Sequence, residues 1–199
     1  MDAMNIIRDE HQSLAAIIHA VHYMLKEIEA GSLEPDFKLL QAMVHYLKAY
    51  PEQRHHPKED QYLFARLRQK TGEADAIITR LEHDHAGGEA RLEALETAMN
   101  RYEADPKGGY PVFVEAFDSF AKFYRDHMIT EEREILPLCR KHFTEQDWEE
   151  VSGGFHENRD PMAGTARPLT HDDFQRVFSK LVAAAPAPIG LGAGPYKDD

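Results

Sequence analysis

The sequence has a single cysteine, no long apolar run and a deficit of basic residues. Cys139 is alone among 199 residues, which excludes a disulfide framework within the chain and a thiolate zinc site. No stretch approaches the roughly 20 apolar residues of a transmembrane helix. Basic residues number 23 against 35 acidic ones, so we expect no nucleic-acid or membrane partner. Because the first residues do not resemble a signal peptide, we expect a soluble cytoplasmic protein.

Histidine, in contrast, is abundant, with 12 residues. Two segments repeat one pattern, in which a histidine is followed four residues later by a glutamate. His55 and Glu59 form the first pair, and His127 and Glu131 form the second. On an α-helix this spacing puts both side chains on one face, about 6 Å apart along the axis. An imidazole and a carboxylate so placed can bind one metal ion or a metal pair, and the repetition predicts a site between two helices.

Apolar periodicity predicts four long helices, at about residues 5–30, 36–70, 73–104 and from about 110 onward. Pro51 lies inside the second and should kink it. Because the connections are short, the predicted fold is all-α: an antiparallel up-down four-helix bundle with short additional C-terminal helices and an irregular tail. We expect the bundle to span 1–143, a helical extension packed on it 144–185, and a flexible tail 186–199. Thr144 and Thr170 mark the starts of the two short helices.

Two further histidines occupy positions in apolar stripes. His11 fills a gap in the first helix, and His85 fills one in the third. The number of residues between His11 and His85 is nearly the same as that between His55 and His127, which indicates a duplicated helical hairpin. A histidine in each of four helices predicts one shared metal site. Mixed imidazole and carboxylate donors in a bundle core suit iron, with manganese or zinc as substitutes.

These residues resemble the hemerythrin-like (HHE cation-binding) domain family over about residues 4–140. The resemblance is carried by Asp9-Glu10-His11, by His55 through Asp60, by Asp84 through Glu89 and by His127 through Glu132. It implies a non-haem di-iron centre that binds dioxygen or nitric oxide, with two bridging carboxylates. It also implies a role in sensing, scavenging, oxidative or nitrosative stress, or iron handling. The ligands that it implies are His11, His55, Glu59, His85, His127 and Glu131.

The sequence departs from the fullest pattern of that family at the third helix. That pattern has a second histidine one turn from His85, where this chain has Leu81 on one side and Glu89 on the other. The missing donor could be His56, His83, Glu89 or water. His83 should face away from His85, because two residues turn a helix by about 200°. His56 is an additional or outer candidate, since Pro51 upstream can change the helical phase.

Two other function classes stay open. Glu52 with His55, and Glu82 with His85, match the Glu-x-x-His motif of ferritin-like di-iron carboxylate oxidases. Here the motifs fall on the second and third helices, which breaks the symmetry of that site. A metal-free helical interaction module is the second alternative. The sequence decides neither enzymatic activity nor whether the chain forms a homodimer.

Overall fold

The computed structural model describes residues 2–156, and this part of the chain contains helices and short connections but no strand. The predicted all-α class is therefore confirmed. No helix in the described part is long and apolar enough to cross a membrane. The predicted helix from Thr170 and the predicted tail at 186–199 lie outside the described residues.

Five helices follow one another in residues 2–156. Helix α1 is Asp2–Glu29, and helix α5 is Glu145–His156. Helix α2 spans 37–70 in consecutive segments, which are Phe37–Leu47, Lys48–His55, His56–Lys58, Glu59–Phe64 and Ala65–Lys70. Helix α3 consists of Asp75–Ala86 and Gly88–Ala104, and helix α4 spans 106–142 as Pro106–Thr130, Glu131–Ile135 and Leu136–His142.

Three segments of α2 and α4 are π-helical: Lys48–His55, Glu59–Phe64 and Glu131–Ile135. Pro51 lies in the first of them, where the His56 N–H donates to the Pro51 carbonyl five residues back. A wider turn accommodates the missing proline donor, so the helix continues through Pro51 with an altered phase. Such π-helical turns often occur at functional sites.

Two helix boundaries differ from the prediction. Helix α4 begins at Pro106, earlier than expected, because the Asp105 side chain accepts a hydrogen bond from the Gly108 N–H and caps the helix. Proline is well suited to this first turn. Helix α3, predicted to be continuous, is divided at Gly87.

Contacts between neighbouring helices pair residues early in one helix with residues late in the other. Between α2 and α3, Lys48 pairs with Glu96 and Arg68 pairs with Glu82. Helices α1 and α4 follow the same order, with Leu25 opposite Tyr110 and His11 opposite Glu132. Each of these two pairs of helices is therefore antiparallel.

A layer of buried polar residues separates two apolar cores. The larger core joins the second half of α1, the start of α2, the end of α3 and the start of α4, from Leu14 to Met128. The smaller core joins the opposite ends of those helices with α5, and it includes Phe64, Leu81 and Phe155. The buried polar residues between the cores are Glu10, His11, His55, His56, Lys58, Glu59, His85, His127 and Glu131.

Candidate metal centre

The structure brings all six predicted ligands together in the buried polar layer. None of the six is more than 8% exposed. They form two groups of four, in each of which one ligand atom per residue lies within 4.8 Å of the others. The first group has the imidazoles of His11 and His55, the second has those of His85 and His127, and both contain Glu59 and Glu131.

Each pair of imidazoles turns its Nε2 atoms toward a common point. The Nε2 atoms of His11 and His55 are 3.2 Å apart, and those of His85 and His127 are 3.0 Å apart. Each pair joins two helices, α1 with α2 and α3 with α4. Each hairpin of the predicted duplication therefore supplies one pair of rings.

The two carboxylates lie between these imidazole pairs, with one oxygen facing each pair. Glu59 directs Oε1 toward His55 Nε2 at 3.3 Å and Oε2 toward His85 Nε2 at 3.7 Å. Glu131 directs Oε2 toward His11 Nε2 at 3.3 Å and Oε1 toward His127 Nε2 at 3.1 Å. Each carboxylate can thus donate to both positions at once.

The four inner carboxylate oxygens are buried and lack a hydrogen-bond donor among the described residues. These atoms are Oε1 and Oε2 of both Glu59 and Glu131. Burying carboxylate oxygens without partners is costly, and two carboxylates this close repel each other. Cations placed between the imidazole pairs would relieve both costs, so the residues present fit a pair of metal ions.

Carboxylates also lie on the outer side of the rings, and two of them directly follow the inner glutamates in sequence. Glu132 Oε1 is 3.0 Å from His11 Nδ1. Asp60 Oδ1 is 2.8 Å from His85 Nδ1. A carboxylate on the outer nitrogen fixes the ring orientation and makes the inner nitrogen a better ligand.

The other two outer carboxylates directly precede the histidines of α1 and α3. Glu10 Oε2 is 2.6 Å from His55 Nδ1, and Asp84 Oδ2 is 3.7 Å from His127 Nδ1. The sequence interpretation missed this role, although an acid directly beside His11, Glu59, His85 and Glu131 was the signal. Each of these four acids points to a neighbouring helix and contacts the imidazole ring that this helix carries.

The carboxylates control the charge of the imidazoles. Burial lowers the pKa of His11, but the nearby carboxylates of Glu131 and Glu132 outweigh burial and raise the pKa to about 9. In the same way, Asp60 and Glu131 outweigh burial and raise the pKa of His85 to about 10. Protons on these rings therefore substitute for cations in neutralising the carboxylates.

The remaining candidates separate clearly. His56 is buried beside His85 and His127, with a ring nitrogen within 4.8 Å of theirs. His83 and Glu89 are exposed. Glu82, needed for the ferritin-like motif, forms a surface ion pair with Arg68, so the two Glu-x-x-His motifs do not converge.

Across residues 2–156, an all-helical fold with a buried cluster of imidazoles and carboxylates defines a class of helical proteins whose core could hold metal ions. The family model described as Hemerythrin HHE cation binding domain matches residues 2–139. The chain therefore belongs to the hemerythrin HHE cation-binding domain family. Neither the curated proteins nor the solved structures provide a match.

Proposed function

We propose that the protein is a non-haem di-iron protein that binds dioxygen or nitric oxide, with His11, His55, Glu59, His85, His127 and Glu131 as ligands. The observation that carries the proposal is the position of Glu59 and Glu131, each of which offers one oxygen to each pair of imidazoles. Mixed nitrogen and oxygen donors suit iron, with manganese or zinc as substitutes. Bound iron would supply redox chemistry and an open coordination position for the gas.

The residues of the chain hold and orient the centre. Four helices supply the donors, and we infer that α1 to α4 form the antiparallel up-down bundle predicted over 1–143, with α5 beginning the extension predicted over 144–185. The outer carboxylates fix the imidazole rings, and the two apolar cores on either side exclude bulk water.

The charge around the centre favours sensing, scavenging or stress defence over oxygen transport. Glu10, Asp60, Asp84 and Glu132 add four carboxylates to the two inner ones. Anionic partners raise the basicity of the imidazoles and stabilise the more positive ferric state. Iron held here should therefore oxidise readily in air, which suits a reactive or signalling centre.

The cellular setting that we propose is the cytoplasm. The net charge of −12 favours a small gaseous partner over nucleic acid. A ferritin-like oxidase is less well supported, because Glu82 pairs with Arg68 at the surface. Homodimer formation stays a proposal that sedimentation would test.

The test is anaerobic purification from iron-supplemented cells, followed by iron quantitation and titration of the reduced protein with nitric oxide. We expect about two irons per chain and a saturable change in the visible spectrum. The variant Glu59→Ala with Glu131→Ala should lose the iron, whereas Glu134→Ala, on the exposed side of α4, should keep it. Absence of stoichiometric iron, or binding of one zinc instead, would contradict the proposal.

A further inference from the structure

We propose that His56 is a fifth imidazole ligand and that it completes the metal position formed by His85 and His127. The assignment rests on the proposed function, because it concerns the same pair of metal ions. With this ligand, the two metal positions would have different numbers of imidazoles. His56 on α2 would take the place of the second histidine that α3 lacks.

The geometry of the three rings supports this assignment. His56 is only 4% exposed. Its ring is stacked on that of His85, with centroids 4.1 Å apart, and lies edge-on to that of His127 at 5.2 Å. One nitrogen from each of the three rings lies within 4.8 Å of the other two. Three imidazoles at this separation can donate to one divalent ion with little movement.

The helical phase explains why two consecutive histidines both reach the interior. Consecutive residues of a regular α-helix diverge by about 100°, which would turn one of the rings outward. The π-helical segment Lys48–His55 ends immediately before His56 and changes this phase. Both His55 and His56 are therefore buried. His55 lies beside His11, whereas His56 lies beside His85 and His127.

The outer side of His56 resembles that of the other four histidines. Its Nδ1 atom is 3.5 Å from Glu52 Oε2. The Tyr124 hydroxyl donates a hydrogen bond to Glu52 Oε1 and holds the carboxylate in place. A Cβ atom at Gly88 would lie 1.9 Å from Glu52 Oε2, so only glycine there leaves room for this carboxylate. An acid thus lies beside Nδ1 of His56 within ion-pair distance but without a hydrogen bond, on the side where a metal-ligating histidine usually has its outer partner.

The positions on α3 that could have supplied a fifth donor do not do so. Leu81, one turn before His85, is fully buried in the smaller apolar core. His83 and Glu89 are exposed, and neither belongs to a group of potential ligands among the described residues. His56 is the histidine that burial and proximity favour.

The assignment locates the gaseous ligand. With His56, the His85 position has three imidazoles and two carboxylates, whereas the His11 and His55 position has two imidazoles and the same two carboxylates. If both ions are held in this way, the His11 and His55 side, which has fewer donors from the chain, would be the one that leaves room for a small ligand.

The experiment compares His56→Phe with the wild type and with His83→Ala as the matched control. Phenylalanine preserves the stacking on His85 but removes the donor nitrogen. We expect His56→Phe to bind one of the two irons at least about 10-fold more weakly, and the Mössbauer doublet of that iron to change. His83→Ala should retain both irons with wild-type affinity and an unchanged spectrum. His56→Ala should show the same loss, and added imidazole should reverse it by entering the space left by the ring.

Two irons in His56→Phe with unchanged affinity and spectrum would overturn the assignment and leave His56 with a packing role. The same conclusion would follow if imidazole failed to restore iron binding in a folded His56→Ala protein. Circular dichroism of the iron-free variants shows whether they fold. If one of His56→Phe and His56→Ala does not fold, the result for the other decides the test. If the wild type itself binds no iron, the proposed function fails instead.

Discussion

At the scale of single residues, the four histidines His11, His55, His85 and His127 each have a carboxylate near both nitrogens of the ring. An inner glutamate faces Nε2, and an outer acid faces Nδ1, as Glu131 and Glu132 do for His11. In the proposed di-iron site the inner acids would neutralise a cation, while the outer acids would hold the ring and raise its basicity. Removing an outer acid should therefore weaken metal binding without removing a ligand.

Asp60→Ala tests this dependence. Loss of the 2.8 Å contact with His85 Nδ1 should weaken iron binding by about 10- to 100-fold, because the ring becomes less basic and freer to rotate. Iron affinity measured by competition with a chelator provides the comparison. Glu134→Ala, which removes an exposed acid from α4, should bind iron as the wild type does. Equal affinities for the two variants would mean that the outer acids have no role.

At the scale of helices, α5 covers the end of the molecule that holds the smaller apolar core. The helix begins after Thr144, as predicted, and its first turn has a capping box: the Thr144 N–H donates to Asp147 Oδ2 at 2.8 Å, and the Asp147 N–H donates to Thr144 Oγ1 at 3.3 Å. Lys58, next to the inner carboxylate of Glu59, donates to the Phe155 carbonyl at 3.2 Å. The end of α5 is thereby fastened to the helix that carries the site.

The two adjacent glycines of α5 offer a matched test of this packing. A Cβ atom at Gly154 would lie 2.4 Å from Tyr62 Cδ2, whereas one at Gly153 would meet nothing within 4 Å. We expect Gly154→Ala to lower the free energy of unfolding by about 1–3 kcal/mol through overpacking. Gly153→Ala should raise it by about 0.5–1 kcal/mol, since alanine favours the helix. Denaturant unfolding measures both, and equal changes would mean that α5 does not pack on α2 as described.

At the scale of the whole molecule, the polar layer interrupts what would otherwise be one continuous core. Burial and the neighbouring Glu131 raise the pKa of Glu59. Burial would also raise the pKa of Glu131, but His127 and His11 hold it well below its usual range. Without cations, the fold must compensate for these buried groups with protons, which is less favourable than coordination.

Removal of the metal should therefore destabilise the entire bundle. Binding to the folded state alone, at a metal concentration 100 times the Kd, stabilises it by about 2.7 kcal/mol. For a chain of this size, that corresponds to a fall in Tm of about 5–10 °C on chelation. Calorimetry of iron-loaded and chelated protein measures the difference. An unchanged Tm would show that the polar layer binds no ion that matters to folding.

The sequence alone was sufficient to predict the class of fold and the six converging residues. Two His-x-x-x-Glu pairs determine a shared face on any helix, and His11 and His85 were identifiable as polar residues in apolar stripes. Periodicity near 3.6 residues also located the four long helices, because burial of one face imposes it. Boundaries were less certain: the cap at Asp105 and the break at Gly87 depend on local hydrogen bonding.

The tertiary structure decided which helices share each group and which acid faces which ring. Glu10 contacts His55, and Glu132 contacts His11, between different helices. How those helices are aligned along each other cannot be read from the sequence of either one. The sequence named His56 only as a candidate, because Pro51 can change the helical phase. Its orientation depends on the π-helical turn around Pro51, which departs from the regular 100° step and is fixed by the structure. Sequence periodicity describes one face of one helix, whereas a metal centre is built from the faces of four.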